Sequence, residues 1–260
     1  MPTAATTTTR PTGSTTIPSR RDPTLATKRG RFAALPERPA PWAPLVAVVL
    51  GLILVGMATP RLVAGLLVAP YDDELREMAK GHPVEGQVLA AAGLAYEDAL
   101  AWHDEANAAA ELAGINYVLA RHLGFGGDAG RLYLERTLAA ARRAVAGNPA
   151  LPYAWLQIAI ALEALEGPSP KAVAALIQSM RRAPYQPRLA VLRAGLALKV
   201  WPLLDAEARA LAGQQVLLAA KVDPAGLAGV VPSPALWRVA QDILLTDPAL
   251  LVAVEAARRR

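Results

Sequence analysis

The chain has 260 residues, no cysteine, 53% hydrophobic side chains and a formal charge of +5, with a mean hydropathy of +0.27. That length holds one ordinary domain with extensions and excludes both a disulfide-stapled miniature scaffold and a multidomain enzyme, while the missing cysteine removes thiolate nucleophiles, zinc fingers and iron–sulfur ligation. The charge is segregated, with seven Lys/Arg against Asp22 and Glu37 in residues 1–38, Arg61 alone, and 19 basic against 20 acidic side chains in residues 72–260. A nearly neutral C-terminal region has no electrostatic footprint for nucleic acid, and no nucleic-acid partner is expected.

In chain order, residues 1–38 come first. Ten threonines fall within the first 27 residues, interspersed with Pro2, Pro11, Pro18 and Pro23. Such a segment cannot bury enough apolar surface to offset the entropy of ordering, so it reads as a disordered basic tail. From Pro39 through Pro60 run 22 residues without a charge. A helix from Trp42 to about Thr59 reaches about 27 Å at 1.5 Å per residue, close to the thickness of a bilayer's hydrocarbon core. Trp42 takes an aromatic-belt position, and the basic residues before it orient the N-terminus toward the cytoplasm.

Residues 39–71 are therefore expected to form a single membrane anchor with a juxtamembrane continuation, and the bilayer is the first expected partner. A cleaved leader is the competing reading, with Gly56-Met57-Ala58 as the cleavage site, but the segment before it is too long for an ordinary signal peptide. Ser19-Arg20-Arg21 hints at a twin-arginine signal, yet Asp22-Pro23-Thr24 lacks the apolar residues that signal needs. Leu62–Ala69 is apolar but too short to span again; as the second limb of a hairpin it would place the rest of the chain in the cytoplasm.

From Asp72 on, only 21 of 189 residues are Val, Ile or Thr, and the dominance of Ala and Leu favours helix over sheet. Apolar stripes agree: Val88, Ala92, Ala95, Ala99 and Trp102, and Leu189, Leu192, Leu196 and Val200. Five pairs place a capping side chain before a proline suited to the first helical position: Asn148-Pro149, Ser169-Pro170, Asp223-Pro224, Ser233-Pro234 and Asp247-Pro248. Helices are expected at 73–80, 86–102, 105–123, 129–146, 150–165, 170–183, 187–201, 205–221, 234–245 and 248–258. The fold class is all-α, with residues 72–260 as one helical domain. Gly124-Phe-Gly-Gly-Asp-Ala-Gly130 lacks the flanking strand and Lys-Ser/Thr of a phosphate loop and reads as a turn.

Residues 149–184 resemble a tetratricopeptide repeat. Trp155 takes the Trp place, Ile158-Ala159 the Leu-Gly place and Leu162 the Tyr place; with one extra residue around Gly167, Ala172, Leu176, Ser179 and Pro184 fall on the later signature positions. The resemblance implies a stack of helical hairpins, a solenoid, with Trp155 as a core residue. The family's carboxylate clamp is not matched, because the corresponding face offers Tyr153, Leu156 and Gln157. A second, weaker likeness covers Pro187–Ala228, whose Trp201-Pro-Leu-Leu-Asp205 and Asp223-Pro224 are similar to stretches of bacterial inner-membrane repeat proteins associated with export or assembly of surface polysaccharide.

Chemistry-bearing clusters are sparse. His103-Asp104-Glu105 is dense in titratable groups, but adjacent helical residues diverge by about 100°. His82, His103 and His122 lack ligand-type partners one helical turn away, so no metal, cofactor or catalytic residue is expected. Arg181, Arg182, Arg188 and Arg193 straddle the turn at Pro184. They read either as a solvated face or as a patch for an acidic partner, whether an acidic polysaccharide, a protein tail or lipid headgroups, gripped by guanidinium groups. The expectation that follows is a non-enzymatic, membrane-anchored adaptor beside membrane or periplasmic proteins. A glycan-binding module and an assembly factor for a secretion, pilus or cell-division complex stand as alternatives.

Overall fold

A computed structural model describes residues 42–231 and 233–259, and every regular element among them is helical. The expected tail over residues 1–38 lies outside the described residues. Helix α1 spans Ala43–Val68, followed by a 3-10 turn at Ala69–Tyr71 and by α2, Asp72–Ala79. Then come α3 (Gly86–Trp102), α4 (Ala106–Leu123), α5 (Asp128–Gly147), α6 (Pro152–Glu166), α7 (Pro170–Arg182), α8 (Pro187–Lys199), α9 (Ala206–Val222), α10 (Pro224–Val230), α11 (Pro234–Leu244) and α12 (Pro248–Arg258).

Helix α1 does not stop at Pro60, as the proline led us to expect; it continues through Val68. A proline inside a helix forfeits one bond and crowds the carbonyl four residues earlier, here that of Gly56. Leu62–Val68 therefore extends α1 and is not the returning limb of a hairpin. The helical run Pro44–Met78 is the one among the described residues long and apolar enough to cross a membrane. Its side chains are bare: Leu45, Leu52 and Met57 are 67%, 67% and 70% exposed.

Successive helices pack on one another, among them α3 on α4, α4 on α5, α6 on α7 and α8 on α9. Alternate helices also touch, α4 with α6, α6 with α8 and α8 with α10, which sets these four side by side in one layer of stacked hairpins. Two apolar cores result. One runs from Leu75 through Leu89, Ile115, Leu156 and Leu176 to Ala212; the other joins Leu198, Val216, Leu227, Leu244 and Val254. Helix α8 serves both, giving Leu189 and Leu196 to the first and Ala190, Ala194 and Leu198 to the second.

Local chemistry explains the boundaries. Ser169, Asp223, Ser233 and Asp247 each accept a hydrogen bond from a backbone N–H of the first helical turn, at 2.8 to 3.4 Å, and the following proline opens the helix. The fifth expected start, Asn148-Pro149, behaves differently. Asn148 closes α5, and its side-chain oxygen accepts from the Ala150 N–H at 3.0 Å, so a tight turn forms and α6 begins only at Pro152. Helix α10, seven residues long, was not expected as an element. The glycine-rich turn is shaped by two residues. Gly124 takes φ +79° to end α4, and a Cβ on Gly130 would collide with the Gly124 carbonyl oxygen.

Candidate functional site

The four arginines at the α7–α8 turn do not form one surface. Arg181, Arg182 and Arg188 are exposed, whereas Arg193 is fully buried. Its position follows from helical spacing, since Arg193 is four residues after Leu189 and three before Leu196, on the apolar stripe itself. The guanidinium closes the C-terminal end of α7: Nε donates to Ser179 Oγ at 3.0 Å, Nη2 to the Ser179 carbonyl at 2.6 Å and Nη1 to the Ala183 carbonyl at 2.7 Å. These carbonyls lack partners within the helix and sit at its negative end, which suits a cation. Burial pushes the Arg193 pKa down to about 10, so it stays charged at neutral pH.

The same group ties four helices together. Ser179 of α7 donates to the Pro152 carbonyl of α6 at 2.7 Å. Gln215 of α9 accepts from Arg193 Nη1 at 3.3 Å and donates to the Pro184 carbonyl at 2.7 Å. Arg193 therefore belongs to the architecture and not to an exposed patch. On the surface, Arg181 pairs with Glu207 of α9 at 2.5 Å and Arg182 donates to Gln178 at 3.3 Å. Tyr185, between them and Arg188, is 79% exposed.

A second surface was not anticipated from the sequence. The layer of alternate helices carries a groove of about 240 Å³ lined by Tyr117 of α4, Ile160 and Glu163 of α6, Leu192 and Lys199 of α8 and Val230 of α10. Lys199 Nζ and Glu163 Oε2, 3.2 Å apart, bridge its rim. Burial raises the Tyr117 pKa above its usual value, and the ring stacks on Phe125 at 5.9 Å. These residues come from segments more than a hundred positions apart, and none carries a local motif. Only the alternation of layers brings them together.

Ala159, Leu162, Ala172, Leu176 and Ser179 of α6 and α7 are buried. Trp155 departs from the expected core role. It is half-buried, and its indole N–H donates to the Pro149 carbonyl at 2.9 Å. The cluster His103-Asp104-Glu105 lies on no helix face: it forms the turn between α3 and α4, and His103 and Glu105 line one groove there while Asp104 is engaged elsewhere. Arg61 Nε donates to His103 Nε2 at 3.3 Å, while Asp104 pairs with Arg143 at 2.8 Å. His82 lies 2.5 Å from Glu77, whose pKa is lowered by Lys80 first and His82 second. No group of three potential metal-ligating side chains occurs among the described residues. Comparison with protein-family models, curated proteins and solved structures finds no match.

Proposed function

We propose that this chain is a non-enzymatic adaptor held in a bacterial inner membrane by α1, its N-terminus cytoplasmic and its helical domain periplasmic. The observation that carries the reading is the join of two features. A helix able to cross a membrane leads through one short turn into stacked hairpins, and alternate helices leave an open groove for partner proteins. Segment α6–α7 is read as a degenerate tetratricopeptide repeat. The weak likeness of Pro187–Ala228 to proteins of polysaccharide export supports an accessory role in surface-polysaccharide biosynthesis or export.

Two measurements test this. An alkaline-phosphatase fusion after residue 75 is expected to be active; activity of a fluorescent cytoplasmic reporter at the same site overturns the orientation. Crosslinking of intact membranes followed by mass spectrometry is expected to give protein partners joined through Lys199. Crosslinks confined to the chain itself count against an adaptor.

A specific observation favours a second reading. Arg181, Arg182 and Arg188 are exposed, as is Tyr185 between them in the sequence, and guanidinium and aromatic groups together suit an acidic glycan. The full chain in nanodiscs should then bind acidic polysaccharide in a salt-sensitive manner. Reversal of Arg181 and Arg182 to Glu should abolish that binding, and unchanged affinity would eliminate this reading.

A further inference from the structure

Where α1 meets the α3–α4 turn, a groove of about 400 Å³ opens, lined among others by Arg61, Ala64, Gly65 and Val68 of α1 and by His103 and Glu105. Its volume falls within the range of small-molecule sites, about 300 to 1,000 Å³. The four α1 residues recur at the spacing of one helix face. Leu62 and Leu66, 63% and 65% exposed, stand about 100° further round. One stretch of helix thus forms a groove wall on one side and offers bare apolar side chains at the same level on another. A Cβ built on Gly65 meets no atom within 4 Å, so the wall at this point borders open space.

Arg61 is the one Lys, Arg, Asp or Glu between Arg38 and Asp72. Eighteen residues along α1 from Ala43 place it about 27 Å on, near the edge of the hydrocarbon layer. Its Nε is engaged by His103 Nε2, and its two terminal nitrogens have no hydrogen-bond partner among the described residues. Since Nε2 accepts in that bond, the imidazole keeps its proton on Nδ1. Glu105 supplies a carboxylate to the same groove, with Oε1 accepting from Asn107 at 3.3 Å. Trp102, 54% exposed, flanks His103 as an interfacial aromatic.

Guanidinium and imidazole donors, a carboxylate and a small apolar wall at the bilayer edge match one chemistry, a phosphodiester linked to a primary ammonium on acyl chains. We propose that this groove binds a phospholipid with a primary-ammonium headgroup, its phosphate on Arg61 and His103, its ammonium on Glu105 and its acyl chains beside α1 in the bilayer. An anionic glycerol headgroup can donate hydroxyls to Glu105 but brings no cation to offset its charge. A choline headgroup has no N–H to donate. The proposal rests on the reading of α1 as a membrane span, and its test keeps the two apart.

The full chain, carried in nanodiscs of equal parts phosphatidylethanolamine, phosphatidylcholine and phosphatidylglycerol, is released into native mass spectrometry and its retained lipid identified. We expect one retained phosphatidylethanolamine, preferred over phosphatidylcholine by about tenfold or more, because a site built to pair with an N–H rejects the analogue lacking it. Glu105→Gln should erase that preference. Gly65→Leu, which fills the open space and leaves every charge in place, should abolish retention. Equal retention of the three lipids, preference for phosphatidylglycerol, or retention undisturbed by Gly65→Leu overturns the site. Carbonate extraction of the unaltered chain from membranes separates the premises: release overturns the membrane reading and the site with it, whereas firm integration without lipid preference overturns the site alone.

Discussion

Arg193 is a buried cation with no carboxylate beside it, satisfied by two helix carbonyls, a hydroxyl and an amide. Removing it leaves the end of α7 unpaired in the interior, and each buried acceptor stranded costs about 1 to 3 kcal/mol, so Arg193→Ala is expected to cost on the order of 3 to 5 kcal/mol in all. Arg193→Lys should recover little, because a lysine lacks the planar fork that reaches four acceptors. Urea midpoints of the full chain in mild detergent would check both. Gly130 makes a simpler case. A methyl group there collides with the backbone of Gly124, so Gly130→Ala should destabilise by about 1 to 3 kcal/mol, as overpacking does.

Two tyrosines set a limit at high pH. Burial raises the Tyr96 pKa to about 12 and pushes that of Tyr153 up as well, against an ordinary value of about 10. Between pH 10 and the folded-state values the unfolded chain releases these protons first. Their stabilisation is therefore complete below about pH 10 and is lost as pH rises through the folded-state values. The lowered pKa of Arg193 acts in the opposite direction, so the useful measurement is a difference. Tyr153→Phe should lose less stability than the unaltered chain between pH 9 and 12; parallel curves would contradict the burial argument.

At the scale of elements, Trp155 differs from the core residue expected of it. Half-buried and bonded to the Pro149 carbonyl, it pins the α5–α6 turn more than it fills a core. Trp155→Ala should accordingly cost about 2 kcal/mol, below the roughly 3 to 5 of a large aromatic lost from a full interior. Thermal unfolding of the two chains gives the comparison. The starts of α7, α11 and α12 were legible because serine or aspartate before proline fixes a helix start by local hydrogen bonding. Asn148-Pro149 misled for the same reason, since its side chain closed a turn after α5 instead of opening α6.

Pro60 misled in the other direction. Its local penalty is real, yet the chain runs on as helix to Val68, because in a long apolar helix no competing partner rewards a break. The candidate sites were less legible than the fold. Arg193 sat in plain view on the stripe from Leu189 to Val200, and burial could have been inferred from that spacing. Tyr117, Glu163 and Lys199, by contrast, become neighbours only through the stacking of alternate helices.

For the whole molecule, the two apolar cores meet in α8 and α9, and the shared polar group sits at that meeting. A linear array of hairpins, each touching only its neighbours, ordinarily opens from its ends one unit at a time. Here a single guanidinium group spans three successive helices, and its serine partner adds a fourth. The expected consequence is a fracture boundary in native-state hydrogen exchange. Amides of α10 to α12 should open in early local events, while those of α6 to α9 exchange together as one block. In Arg193→Met the block should divide, α6–α7 and α8–α9 acquiring separate opening energies. A protein pulled by a partner at its C-terminal end would therefore yield three short helices first, then hold at α9.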